Sequence, residues 1–209
     1  MRSPDLLNHR QTQSPKHQRE SKDLPMLKLY GGARSRASID QWYLEEISLP
    51  YEFVMLDMAA GEHRQPDFLA INPIGKVPAI VDGELKLWES GAILLYLAEK
   101  YGEPEASLAT RALWAQWVVF ANATLGPGLF MEEIRAKEEV RLLTPINHQL
   151  ENSEYFLGET FGVVDVAVGS YLAYAQIMVS MDFPDYPAIA RYLKDIYSRP
   201  AFQKTIGAR

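Results

Sequence analysis

Apolar and polar residues alternate through Leu27-Lys28-Leu29-Tyr30, the period of a half-buried strand. Gly31-Gly32 interrupts the run. Ile39, Trp42, Tyr43, Leu44 and Ile47 then recur at helical spacing, which predicts an amphipathic helix over 35–47. A second strand is predicted over 51–58. Strand, helix and strand this close together predict a right-handed parallel βαβ unit. A loop and a short helix follow over 61–72. Two apolar runs, 77–81 and 85–88, flank Asp82-Gly83-Glu84, a hairpin signal. Ile93, Leu94, Leu97 and Tyr101 predict a helix over 90–101, with Gly102 as its stop. Beyond Glu103-Pro104-Glu105 the strand signals vanish, and helices are predicted over about 107–123, 128–152, 163–180 and 187–197. The stretch over 163–181 is apolar on nearly every face, as the central helix of a bundle is. The expectation is an α+β chain of two domains: a βαβαββα domain over 26–102, a linker over 103–107 and an all-helical domain over 108–209.

The first 25 residues break this pattern. They are poor in apolar residues, rich in Gln, Ser, Lys and Pro, and carry acids among their bases. They read as a disordered tail with no secretory or organellar signal. The chain of 209 residues has a net charge of −6 and no basic block, which argues against a nucleic-acid or anionic-membrane partner. There is no cysteine, so disulfides, thiolate metal sites and a protein thiol nucleophile are excluded. His9, His17, His63 and His148 lack ligand spacing, so no metal is expected. No apolar run is long enough to span a membrane.

Four local features carry candidate chemistry. Asn72-Pro73-Ile74-Gly75-Lys76-Val77-Pro78 ends with a proline that opens a strand. A cis bond there would leave the Val77 backbone facing outward, able to pair with an extended peptide. Glu89-Ser90 opens a helix, with Ser90 a good N-cap and the free N–H groups a place for a carboxylate. Gly61-Glu62-His63-Arg64 offers a histidine with a basic neighbour. Ala33-Arg34-Ser35-Arg36-Ala37-Ser38 sets hydroxyls and guanidinium groups at a helix start, where a sulfur anion would be stabilised. Each has a plain structural explanation as well: a strand-start proline, simple capping by Ser35, Ser38 or Ser90, and a solvated histidine.

In this order, the four features resemble the glutathione-binding domain of a cytosolic glutathione transferase of a bacterial, theta-like or chi-like class. The all-helical second half agrees, as do Arg191-Tyr192-Leu193 and Arg199-Pro200-Ala201-Phe202 near the end. The resemblance spans about 26–205. It implies a thioredoxin-like first domain with Pro78 in cis. It further implies Val77 against the cysteinyl part of glutathione, Glu89 and Ser90 on the γ-glutamyl end, and His63 and Lys76 near the glycyl carboxylate. His63, Lys76 and Glu89 fall at equal intervals, as in the theta-like pattern. The co-substrate implied is glutathione, with no metal, and the reaction is attack by its thiolate on a small hydrophobic electrophile, with peroxide reduction as a side activity. Counting from Tyr30 puts Ser35 at the activating position, whereas counting back from Leu49-Pro50 puts Arg34 there; Tyr30 ranks third. The electrophile pocket is expected at Trp114, Trp117, Phe120 and Phe130. A cytoplasmic homodimer with a detoxifying role is implied.

One departure from the family is Gly162, which stands where a Ser or Thr would form a capping box with Asp165. A disulfide oxidoreductase built on Cys-x-x-Cys is excluded, and no phosphate-binding glycine loop is present. The Asn122-Ala123-Thr124 sequon lies in a predicted helix and is discounted. The competing reading is a non-catalytic relative that binds or regulates; the retention of Val77, Pro78, Glu89 and Ser90 favours an enzyme.

Overall fold

A computed structural model describes residues 26–208, so the disordered tail expected over 1–25 lies outside the described residues. β1 (Leu27–Gly31) pairs in parallel with β2 (Tyr51–Met55) and antiparallel with β3 (Ala79–Asp82), which pairs antiparallel with β4 (Leu85–Trp88). The strand order is β2-β1-β3-β4. α1 (Ala37–Glu46) makes the crossover, burying Ile39, Trp42, Tyr43 and Leu44. After a turn at Glu62–Arg64 comes the short α2 (Pro66–Leu69), and α3 (Ser90–Leu97) follows the hairpin. The Val77–Pro78 bond is cis. This is a thioredoxin-like domain.

Two expectations need correction here. β2 ends at Met55, short of residue 58, because its one neighbour in the sheet among the described residues, β1, ends at Gly31, the partner of Met55. Asp57 then turns the chain, its Oδ1 accepting from the amides of Ala59 and Ala60 at 2.9 Å each. The helical run does stop at Gly102, but not through left-handed backbone. The glycine closes a wider helical turn over Ala98–Gly102, and a Cβ there would collide with the Tyr43 hydroxyl.

The second domain is all helix. α4 (Leu108–Phe120) is capped by Ser107, whose Oγ accepts from the Thr110 amide at 3.1 Å, and a wider turn continues it through Ala121–Leu125. The single helix expected over 128–152 is two: α5 (Gly126–Phe130) and α6 (Glu132–Glu151), parted by extended backbone at Met131. α7 (Val163–Val179) buries every residue from Val163 to Ala175 and is the centre of the bundle. α8 (Pro187–Ser198) and the short α9 (Pro200–Lys204) close the chain. The end of α8 returns to the first domain: Arg199 grips Glu46 of α1 through both carboxylate oxygens, each at 2.8 Å. Half of the capping box survives at α7. Asp165 Oδ2 accepts from the Gly162 amide at 2.9 Å, while Gly162 has no side chain to return the bond.

Candidate active site

The sheet register brings three sequence-distant features to one end. Gly31 ends β1. Ala79 begins β3 opposite Tyr30, so Pro78 and Val77 lie beside the β1 exit. Trp88 ends β4 opposite Ala79, so Glu89 emerges at the same end. The loop over 32–36, the cis Val77–Pro78 bond and the start of α3 therefore share one rim. The second domain closes it from the side through α4 and α7.

At the α1 start, Ser35 is half-buried and its Oγ accepts from the Gly32 amide at 3.1 Å and the Ala37 amide at 3.4 Å. Arg34 is exposed, in the left-handed region at φ 57°. Tyr30 packs its ring on Phe68, centroids 5.9 Å apart.

Glu89 also has a positive φ of 73°, a conformation that costs about 1–3 kcal/mol and gathers at functional sites. It occupies the N-cap position of α3, so Ser90 is the first helical residue and not the expected cap. The buried Ser90 hydroxyl instead donates to Asn122 Oδ1 at 3.2 Å, across the domain boundary.

On the other side of Val77, Asn72 pins the loop. Its Nδ2 donates to the Lys76 carbonyl at 2.6 Å and its Oδ1 accepts from the Ile74 amide at 3.0 Å. Gly75, at φ 66°, lets this loop touch the histidine turn: a Cβ there would lie 3.0 Å from the His63 carbonyl oxygen. His63 and Lys76 are thus on adjoining loops. Lys76 is exposed, and the buried His63 Nδ1 has no hydrogen-bond partner among the described residues.

Sequence reasoning missed three residues that bind the rim together. Arg36, Glu89, Gly91, Ala92, Val118 and Asn122 help line a cavity of about 440 Å³ between α3 and α4. Arg36 Nη1 donates to the Tyr171 hydroxyl at 3.4 Å, and that hydroxyl donates to Asn122 Oδ1 at 3.0 Å. Burial works against the Arg36 charge, but Tyr171, Glu89 and Asp40 outweigh it and raise its pKa. Arg36 lay within the run singled out above, and Asn122 within the discounted sequon. Tyr171, on the buried stretch of α7, gave no signal. Nearby, the Tyr174 hydroxyl meets Ser38 Oγ at 2.5 Å.

The aromatic candidates divide. Phe130 stacks at 6.3 Å on Tyr171 and so adjoins the Arg36 side of the cleft. Trp114 and Trp117 do not open onto this cleft. Trp114 is 3% exposed and borders a hollow with Thr160 and Val164, while Trp117 packs on Phe156 and Phe120 beside His148. Residues on one helix at these spacings face different neighbours, and the inner faces of α4 went to the bundle core. Among the described residues no group of three His, Asp or Glu could hold a metal ion, and no helix is long and apolar enough to cross a membrane.

Comparison with known proteins agrees with this geometry. Residues 25–99 match the family model "Glutathione S-transferase, N-terminal domain" and residues 131–200 match "Glutathione S-transferase, C-terminal domain". Glutathione S-transferase GstB of Escherichia coli (strain K12) is 34% identical over 185 residues, 78% of this chain and 88% of that protein. Disulfide-bond oxidoreductase YfcG of the same strain is 36% identical over 182 residues, 76% of this chain and 84% of that protein. Among solved structures, a glutathione transferase from Burkholderia graminis, with two glutathione molecules bound per subunit, superposes with a TM-score of 0.74. It is 29% identical and covers 86% of each chain. The theta class enzyme of Xanthomonas axonopodis pv. citri, with glutathione bound, gives 0.75 at 27% identity, covering 87% of this chain and 97% of that one. On both halves of its sequence, its fold and its relatives, the chain belongs to the glutathione S-transferase family.

Proposed function

We propose that the chain binds reduced glutathione along the shared rim and uses its thiolate to attack small hydrophobic electrophiles. The observation that carries this reading is the cleft in which Arg36 and Glu89 face one cavity at the start of α3. The γ-glutamyl end of glutathione is a zwitterion. Its ammonium suits Glu89, and its carboxylate suits Arg36 and the free N–H groups of α3, the Ser90 amide among them. The Val77 backbone pairs with the cysteinyl unit as an added strand would. His63 and Lys76 take the glycyl carboxylate. This order delivers the sulfur to the loop of Arg34 and Ser35.

A free thiol has a pKa of about 8.5, and the thiolate is the nucleophile. Lowering it by one unit takes about 1.4 kcal/mol of selective stabilisation. A neutral hydroxyl donor supplies about 0.5–1.5 kcal/mol and a charged donor about 1.5–3. Ser35 or Arg34 alone can therefore move the thiol into the neutral range. The thiolate displaces a halide from carbon, the thiol proton having gone to solvent, or adds across a double bond, whose other end then takes a proton back from solvent. A hydroperoxide or a disulfide is attacked at oxygen or sulfur, and a second glutathione completes the exchange as glutathione disulfide. The disulfide reading is favoured by the name of YfcG and by the two glutathione molecules in the B. graminis structure. With no cysteine in the chain, any such chemistry here uses the thiol of glutathione. A cytoplasmic, detoxifying homodimer is part of the same proposal.

The test is the ultraviolet absorbance of the bound thiolate against pH, in the wild type, Ser35→Ala and Arg34→Ala. The wild type is expected to ionise the thiol near neutrality. Losing Ser35 should raise that pKa by about 0.5–1 unit and losing Arg34 by about 1–2 if it is the activator. Glutathione that binds but remains a thiol would overturn the enzyme reading in favour of a binding protein. Rates with a chloronitroarene, an isothiocyanate, a hydroperoxide and a mixed disulfide then rank the electrophiles.

A further inference from the structure

Asn122 joins three elements beside the cleft through one side chain. Its Oδ1 accepts from two hydroxyls: Ser90, at the start of α3, at 3.2 Å, and Tyr171, on α7, at 3.0 Å. Its Nδ2 donates to the Val118 carbonyl, one turn back on α4, at 2.9 Å. That third bond fixes which way the amide faces, because a carbonyl oxygen is met only by a donor, the amide nitrogen. The amide oxygen is therefore committed to the two hydroxyls.

The backbone is unusual at the same place. Asn122 lies in the wide turn Ala121–Leu125, which the Gly126 amide closes by donating to the Ala121 carbonyl five residues back. Single wide turns inside helices gather at functional sites. α3 approaches closely here: a Cβ on Gly91 would stand 3.0 Å from Asn122 Nδ2.

The bonds also have a direction. Tyr171 gives its one hydroxyl proton to Asn122, so its oxygen is left to accept from Arg36 Nη1 at 3.4 Å. Ser90 gives its hydroxyl proton to the same amide, while its backbone N–H stands at the head of α3. Asn122, Arg36 and Glu89 line one cavity. A single amide thus ties together the two groups assigned to the γ-glutamyl carboxylate: Arg36, through Tyr171, and the start of α3, through Ser90.

We propose that Asn122 is a positioning residue for the glutathione site, holding the Arg36 guanidinium and the first turn of α3 at the separation that one carboxylate bridges. The inference rests on the reading of the cleft given above. Groups held before the ligand arrives need not be ordered when it binds. Bonds that share one acceptor act as a network, so removing the amide disturbs both groups at once.

The experiment measures S-hexylglutathione affinity by calorimetry at neutral pH, in the wild type, Asn122→Leu, Arg36→Gln and the double variant. Leucine nearly keeps the volume and removes all three bonds. Asn122→Leu should weaken binding about 5–20-fold, the worth of one or two hydrogen bonds. On that background Arg36→Gln should cost at least about threefold less than it costs the wild type, because the guanidinium it removes is no longer held. A fold merely loosened by Asn122→Leu would give losses that multiply. That result overturns the role of Asn122 and leaves the glutathione site intact, as does an Asn122→Leu protein that binds within about twofold of the wild type. Absence of binding by the wild type overturns the site and this inference together. If Asn122→Leu fails to fold, Asn122→Ala, which removes the same bonds from a smaller side chain, takes its place in the same cycle.

Discussion

Arg34 and Arg36 are two residues apart and both exposed, yet the fold holds them differently. Arg34 stands on left-handed backbone, whereas Arg36 is oriented from the far domain by the Tyr171 hydroxyl. Orientation matters because a freely moving guanidinium must be ordered before it can bind. Arg36→Gln is therefore expected to weaken S-methylglutathione by about 10–100-fold, the worth of one charge-assisted contact. Tyr171→Phe, which removes only the hydroxyl that holds Arg36, should cost about 2–5-fold. Calorimetry on both variants checks this, and an unchanged dissociation constant for Arg36→Gln would remove it from the site. The residue scale is also where sequence reading stopped short. Glu89 and Ser90 were visible as a pair, but not that the backbone flips at Glu89 and moves Ser90 one place into the helix. That flip leaves the Ser90 hydroxyl free to reach Asn122, a bond between residues distant in the chain. No local pattern reports such a bond. Asp40 sits within an amphipathic stretch where a polar residue normally marks the solvent side, so its burial was equally hidden.

The elements were far more legible, because hydrophobic period is a local property. β1, the hairpin, α3 and the largely buried α7 follow directly from it. The errors fall where a partner, not the segment, sets the limit: β2 stops because β1 stops, and α5 parts from α6 at one extended residue. The hairpin is fastened to α3 by a cluster around Asp82. Its Oδ2 accepts from Tyr96 at 2.6 Å, Tyr101 at 2.7 Å and Lys100 at 2.7 Å. Burial alone would raise the Asp82 pKa, but these donors prevail and lower it. A lowered native pKa means stability that is present above the unfolded value of about 3.9 and lost as pH falls through the native one. Tyr101→Phe should cost about 1–2 kcal/mol at neutral pH, and less in acid, where the carboxylate is protonated. Thermal melts at pH 7 and in acid test the sign; a penalty that grows on acidification would refute the assignment. At α7 the missing half of the capping box can be restored. Gly162 has extended backbone at φ −151°, and nothing lies within 4 Å of where a Cβ would stand. Gly162→Ser should add about 0.5–1 kcal/mol, from the new cap and a stiffer unfolded chain. A lower melting temperature in that variant would mean that the glycine answers some other need.

At the scale of the molecule, the two domains are joined from both sides of the first helix. At its start, Arg36 and Ser38 meet Tyr171 and Tyr174 of α7. At its end, Arg199 clamps Glu46, whose Oε1 also accepts from Trp42 Nε1 at 2.8 Å. The guanidinium lies 3.7 Å from the centre of the Phe161 ring, so it is held by charge, fork geometry and an aromatic face at once. Lys204 adds a more exposed contact to Glu45 at 2.7 Å. Because Arg36, at the start of α1, lines the proposed glutathione cleft, the clamp at the other end of that helix helps fix it to the bundle that carries Asn122 and Tyr171. Removing it should therefore affect both folding and the cleft. Arg199→Ala is expected to lower stability by about 2–4 kcal/mol, since it leaves a largely buried Glu46 with only Trp42 as partner. Arg199→Lys should recover less than half of that, because a lysine keeps the charge but loses the fork and the stack. Lys204→Ala, at an exposed pair, should cost under about 1 kcal/mol. Denaturant unfolding ranks the three, and S-methylglutathione binding measured on the folded Arg199→Lys protein reports whether the cleft has loosened. If Arg199→Ala proves no worse than Lys204→Ala, the two domains are held by their other contacts, and the clamp plays no part in fixing the cleft.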